Sequence, residues 1–361
     1  MTLYEYAGNL HIHTPYSDGT DYHAEIAQAA RKAGLDFIIV TDHNLYVHGV
    51  EGYYGDEKAG YVLLLVGQEI HDRTRLPQVN HCLVYNTGRE LCQHAKPAQH
   101  LLDTVAAYQG LSFLAHPHDT QVPFLNPFSD GIAIPWVDWE VQGYTGLEIW
   151  NYLSGWKETL RDVPSTLRSI RRPAEHIIGP NPQTLAHWDA LLAQGQQVVG
   201  IGNADAHGMW VQVGPIKRRL FSYEFVFRCV NTHILTPRPW EGDAQADQAM
   251  IYEALAAGRA FIAYDLISPS RGFRFSAQGR DQQVVMGGTI PLKEGVTLQI
   301  KAPLPGQIKL IRHGQVLCDD YGDTLTYTAS QPGAYRVEIW REYKAQRRCW
   351  ILSNPIYITP S

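Results

Sequence analysis

Long apolar runs are missing from this chain of 361 residues, and nothing in it approaches the roughly 18 consecutive apolar residues that a membrane-crossing helix needs. A membrane is therefore not expected as a partner. The opening Met1-Thr2-Leu3-Tyr4-Glu5 lacks the basic and apolar regions of a secretion signal. Cysteine is sparse: Cys82, Cys92, Cys229, Cys318 and Cys349 form no CxxC pair, and an odd count cannot pair fully within one chain. That excludes a disulfide scaffold and a cysteine-rich zinc ribbon, and leads us to expect reduced thiols in a cytoplasmic protein. A basic surplus is absent too: 30 Lys and Arg stand against 36 Asp and Glu, for a formal net charge of -6. Nucleic acid is not expected as a partner, and the short run Lys217-Arg218-Arg219 does not change that. Composition leaves the oligomeric state open.

Histidine is plentiful, with 16 in the chain and most of them before residue 120. It is the commonest metal ligand and the commonest acid–base side chain. With 45% hydrophobic and 18% charged residues the chain can bury a large core without staples.

Over the first 260 residues short apolar runs alternate with helical segments, the pattern of βα units around a parallel sheet. Strands are expected at Gly8–His13, Leu35–Thr41, Val62–Ile70, Asn80–Tyr85, Leu111–Ala115, Gly146–Trp150 and Val198–Gly202, with helices at Tyr22–Ala33, Ala98–Tyr108 and Thr184–Ala193. After the linker Ile267-Ser268-Pro269-Ser270-Arg271-Gly272 the pattern changes to alternating, turn-punctuated segments. The expected fold is α/β: a barrel over residues 1–265 and a small C-terminal β-sandwich over residues 272–361.

His11 and His13, two apart on a strand, share one face and can grip one cation, and the turn-like Thr14-Pro15-Tyr16-Ser17-Asp18-Gly19 would return a carboxylate over the same mouth. Later strands end similarly in Thr41-Asp42-His43-Asn44, Gly67-Gln68-Glu69-Ile70, Ala115-His116-Pro117 and Asn203-Ala204-Asp205-Ala206-His207, and His81 opens the run between the second and third of these. Any one of these has a structural explanation, such as a helix N-cap for Asp42. Recurrence argues otherwise, because uncompensated burial of so many ionisable groups would cost several kcal/mol apiece.

In these motifs the sequence resembles the PHP (polymerase and histidinol phosphatase) superfamily of metallohydrolases over roughly residues 5–260. The resemblance implies a distorted (β/α)7 TIM-like barrel and two to three divalent ions, manganese, iron or zinc. By the family pattern, His11, His13, Glu69 and Asp205 hold one metal, Glu69, His81 and His116 a second, and Asp18, His43 and His207 a third. Gly146-Leu147-Glu148-Ile149-Trp150-Asn151, the segment from Ala254 to Phe261 and the tail Trp350–Tyr357 also look like the CehA/McbA-type branch, some of whose members cleave carbamates or amides.

The expected function is metal-dependent hydrolysis of a small phosphorylated molecule by a hydroxide bridging the metals, with Glu69 as the bridging ligand. No GxSxG is present to suggest a serine nucleophile. Arg73 and Arg75, Lys157 and Arg161, and Arg171-Arg172 are candidate phosphate binders, Arg73 foremost, and His118 is a candidate proton donor. The alternatives are a carboxylesterase, amidase or carbamate hydrolase with Trp136, Trp139, Trp150, Trp156 and Trp210 lining an apolar pocket, and a non-enzymatic metal-binding module.

Overall fold

The computed structural model describes residues 2–122, 133–213, 216–293 and 295–360. Two sheets dominate them. One has 14 strands and runs from the C-terminal region through Ala260–Tyr264 and Val230–Thr236 to Tyr4–Asn9, Phe37–Val40, Gly60–Val66 and Gly52–Asp56. The other has five strands: Gln68–Ile70, Cys82–Tyr85, Leu111–Leu114, Gly146–Asn151 and Val199–Asn203. Isolated parallel bridges, Ile12 to Ala206 and His43 to Glu69, join the two sheets just where the strands end.

Every strand expected from the sequence forms, with shifted ends. Gly8–His13 is replaced by Tyr4–Asn9, so His11 and His13 lie just past the regular strand, and Val62–Ile70 breaks at Gly67 into two strands. At Gly67 a Cβ would sit 2.7 Å from both a Tyr85 ring carbon and the Val84 carbonyl oxygen, so only glycine lets the chain cross from one sheet to the other. The expected helices form as His23–Ala33, Ala98–Ala107 and Pro182–Ala193. The last is started by Asn181, which caps Gln183 and Thr184 N–H groups, followed by Pro182 at the first helical position.

The sheets are not uniformly parallel. Cys82–Tyr85 pairs antiparallel with both neighbours, and Val230–Thr236 pairs antiparallel with Tyr4–Asn9 and with Ala260–Tyr264. One sheet continues into the C-terminal region: Phe261, Ile262 and Ala263 pair with Ser353, Leu352 and Ile351 across the expected linker. Side chains reinforce the junction: buried Arg336 from the C-terminal region grips Asp189 through two bonds of 2.7 Å each, fixing helix Pro182–Ala193 to strand Gly333–Tyr343.

The linker itself is clasped to the first strand. His233 donates from Nδ1 to Glu5 at 2.9 Å and from Nε2 to Asp265 at 3.1 Å, while Gly272 N–H and Arg274 also bind Glu5. Burial lowers the affinity of His233 for its proton, but the two carboxylates outweigh it and push the pKa up to about 9; Glu5 is held below its usual range by the same pairing, despite burial. A raised folded-state pKa contributes stability that is complete below the ordinary histidine value, near pH 6.5, and lost as pH rises through about 9. We expect thermal unfolding to shift down by several degrees between pH 7 and 9.5, and His233→Asn, destabilised at pH 7, to lose that pH dependence. An equal alkaline shift in the variant would remove the clasp from the explanation.

Candidate metal centre

His11, His13, His116 and Asp205 follow strands of the two sheets, Glu69 lies within the short strand Gln68–Ile70, and His81 immediately precedes the antiparallel strand Cys82–Tyr85, so their side chains meet where the isolated bridges close the mouth. Asp18 arrives on the loop before helix His23–Ala33, and His43 and His207 come from the loops after two strand ends. Every ligand expected from the sequence is therefore in one cluster.

Glu69, 1% exposed, lies at its middle. Its Oε2 is 3.2 Å from His11 Nε2, 3.3 Å from His13 Nε2 and 3.1 Å from His43 Nδ1. Its Oε1 is 2.8 Å from His81 Nδ1 and 3.1 Å from His116 Nε2. Asp205 Oδ1 is 3.4 Å from His11 Nε2 and 3.3 Å from His13 Nε2. Further out, Asp18 contacts His207 Nε2 at 3.3 Å and His43 Nε2 at 3.5 Å.

Several of these short approaches are not hydrogen bonds. His11 Nε2, His13 Nε2, His43 Nδ1, His81 Nε2 and Asp205 Oδ1 are buried without a hydrogen-bond partner, because donors and acceptors are not aligned on one another. A buried polar atom left unpaired costs about 1–3 kcal/mol. Atoms that converge without bonding one another suit a shared cation. The four carboxylate-to-imidazole spacings among His11, His13, Glu69 and Asp205 are 3.2–3.4 Å, and the donor atoms of His11, His13 and Asp205, and separately those of His11, Glu69 and His116, all lie within 4.8 Å of one another. The donor set of imidazoles and carboxylates thus fits divalent metal.

Three of the nine described non-glycine residues at positive φ lie in this cluster. Asn44, His116 and Asp205 adopt φ of 53°, 28° and 54°, a left-handed region that costs non-glycine residues on the order of 1–3 kcal/mol and tends to mark functional sites.

The protonation pattern follows from the charges. Burial opposes ionisation of Glu69 and Asp205, yet the surrounding imidazoles hold both carboxyls well below their usual range, and His207 and His43 do the same for Asp18. The carboxylates in turn overcome burial to raise His11 and His43, and to bring His116 and His207 to about 9. His13 falls to about 4 through burial and its neighbours His207 and His43. Protons and cations thus compete for the same nitrogens.

A supporting layer fixes the ligands. Glu148 accepts from His11 Nδ1 at 3.0 Å, the His116 N–H at 2.9 Å, Asn203 at 3.1 Å and Asn151 at 2.9 Å, and Asn151 also reaches Asp205 at 3.1 Å. Holding Nδ1–H on a carboxylate leaves the Nε2 lone pair of His11 facing Glu69. Asp42 is no helix cap, since no helix follows it; it binds Thr14 N–H, Thr14 Oγ1 and Ser17 Oγ, pinning the loop that carries Asp18.

His71 is the residue the sequence reading missed. It stacks on His81 with ring centroids 4.3 Å apart, donates its backbone N–H to Asn44 Oδ1, and forms with His43 and His81 a further group of three possible ligands. Burial, His81 and His43 lower its pKa to about 3, so it stays neutral. Its place two residues after Glu69, just past the strand Gln68–Ile70, was the available signal.

The expected substrate groups are less well assembled. Exposed Arg73 reaches the carbonyl of Asn44, beside His43, at 3.4 Å. Arg75, Lys157 and Arg172 are engaged in ion pairs with Asp138, Asp119 and Glu175. His118 lies outside the ligand groups, against Trp139 and His187, with Nδ1 3.3 Å from Thr184 Oγ1. Trp136, Trp150 and Trp156 are buried, although Trp150 helps to line a small cavity with His116, His118 and Glu148; Trp139 is half-buried against His118, and Trp210 is exposed.

Residues 9–134 match the family model of the PHP domain. No curated protein matches the sequence. Among solved structures, the chain is similar to a two-domain protein from Bacteroides vulgatus described as containing a predicted PHP-like metal-dependent phosphoesterase, at 16% identity over 97% of this chain and 95% of that one, with a TM-score of 0.42. It is also similar to a candidate metal-dependent phosphoesterase from Bifidobacterium adolescentis, at 16% identity over 60% of this chain and 92% of that one, with a TM-score of 0.30. Neither TM-score is high enough to bear on the arrangement here. Among the described residues no helix is long and apolar enough to cross a membrane.

Proposed function

We propose that this chain is a metal-dependent hydrolase and, within that class, a phosphoesterase acting on a small phosphorylated molecule. The observation that carries the reading is the convergence of the unpartnered His11, His13 and His43 ring nitrogens on one oxygen of Glu69, with the unpartnered Asp205 Oδ1 beside them, while His81 and His116 hydrogen-bond its other oxygen. His11, His13, Glu69 and Asp205 would hold one ion, Glu69, His81 and His116 a second, and Asp18, His43 and His207 a third, with manganese, iron and zinc all suited to such donors. Bound divalent ions supply Lewis acidity and bring the pKa of water near neutrality. The strand order, closed at the mouth by the two isolated bridges, supports reading residues 1–265 as the distorted (β/α)7 barrel and residues 272–361 as an appended β-rich unit.

The chain's own groups position the reactants. Glu148 and Asn151 orient His11 and Asp205, and Asp42 holds the Asp18 loop. Arg73, exposed beside His43, is the cation available to phosphate oxygens. His118 has its pKa lowered by burial and by His187, so near neutrality it would act through hydrogen bonding more readily than as an acid.

The test is a screen of protein loaded with manganese, iron or zinc on p-nitrophenyl phosphate, its bis ester and p-nitrophenyl acetate. Phosphate esters should turn over fastest, and Arg73→Ala should lower kcat/KM for them by about 10–100-fold while sparing the acetate. Dominant acetate hydrolysis, untouched by Arg73→Ala, would overturn the phosphoesterase reading.

A further inference from the structure

The ligands in the cluster divide by exposure. Side chains of His11, His13, Glu69 and His81 are at most 1% exposed, His116 is at 7% and Asp205 at 11%, whereas His207 is at 15%, His43 at 23% and Asp18 at 53%. His43 is tied to Glu69 by an isolated bridge, whereas Asp18 and His207 sit on loops outside the strands. Something other than sheet must hold those two loops together.

A knot of polar contacts does so. Arg219 donates from Nε to the carbonyl of Gly208, next to His207, at 3.1 Å, and from Nη2 to Thr20 Oγ1 at 2.7 Å and Asp21 at 2.6 Å, two and three residues beyond Asp18. Thr20 Oγ1 reaches the same Gly208 carbonyl at 3.2 Å. Tyr223 completes it, donating to the carbonyl of His13 at 2.6 Å and accepting from Thr20 N–H at 3.1 Å. Gly208, at φ 68°, has no room for a side chain against Thr20 and Arg219. Arg219 and Tyr223 touch none of the ligand side chains, yet together they fix the distance between the Asp18 loop and the His207 loop.

We propose that Arg219 and Tyr223 are positioning residues for the outer Asp18–His43–His207 position, and that this position is the exchangeable one while the Glu69-bridged pair is permanent. The inference rests on the metal-site reading above. Residues supporting metal ligands from outside typically change affinity by about 10–100-fold when removed, and here the change should fall on one ion.

The experiment loads wild type, Arg219→Ala, Arg219→Lys, Tyr223→Phe and, as a control, Arg228→Ala with zinc, then follows release to a colorimetric chelator. Arg228 is exposed and pairs with Glu224 on the same short helix as Tyr223, away from the knot. Wild type should release about three equivalents in two phases, the fast one a single equivalent. In Arg219→Ala and Tyr223→Phe the fast ion should bind about 10–100-fold more weakly and the slow pair should not change. Arg219→Lys, which cannot fork across all three acceptors, should fall between, and Arg228→Ala should match wild type. Unfolding of the metal-free proteins, followed by circular dichroism, separates this from damage to the fold; if Arg219→Ala does not fold, Tyr223→Phe alone decides. A single release phase in wild type, or variants that release like wild type or lose all ions equally, overturns the proposal. Wild type that binds under about one equivalent refutes the metal-site reading itself.

Discussion

Glu69→Gln should reduce hydrolysis by at least about 1,000-fold, because the residue presents both oxygens of one carboxylate to five imidazoles at 2.8–3.3 Å. An amide keeps the volume but offers one oxygen and turns an NH2 group on the remaining imidazoles, so two ions could no longer share it. The fold should survive, since the substitution leaves the core unchanged in size. Circular dichroism and the activity screen check both halves, and a variant that kept most of its activity would mean that the reaction occurs elsewhere.

Stripping the protein with a chelator should lower its melting temperature on the order of 10 °C. A ligand present at about 1,000 times its Kd contributes about 4 kcal/mol, and each kcal/mol moves the melting point of a large chain by roughly 2–4 °C. The cause is the buried charge that a cation would balance: Glu69 and Asp205 are held ionised, and His11 Nε2, His13 Nε2, His43 Nδ1 and His81 Nε2 have no other bonding partner. Readdition of manganese, iron or zinc should restore the original value. Differential scanning calorimetry with and without chelator measures this, and equal melting points would leave the cluster without a stabilising ion.

The ligands were legible because each is announced locally. A strand-like run ends in His, Asp or Glu, and chain geometry does the rest: His11 and His13 share a face, and the other strand ends converge on them. Glu148 was visible only as a carboxylate near a strand end; that it orients His11 across 137 residues depends on tertiary structure. The same is true of Arg219, which joins Thr20 across 199 positions. Strand direction was not legible either. Val230–Thr236 is buried along its whole length, and a fully buried run looks alike whether it pairs parallel or antiparallel. The continuity of one sheet through Phe261 and Ser353 was likewise not legible, because that pairing joins residues far apart in sequence. The proposed cations failed for a different reason: Arg75 and Lys157 lie in the expected loops, but Asp138 and Asp119, distant in sequence, take them up.

Elemental analysis of the purified protein tests the central claim most directly. Grown in medium supplemented with manganese, iron and zinc, the wild type should carry about two to three equivalents of divalent transition metal, and Glu69→Gln should carry about two fewer. Less than about one equivalent in the wild type, with no uptake on reconstitution, would contradict the account.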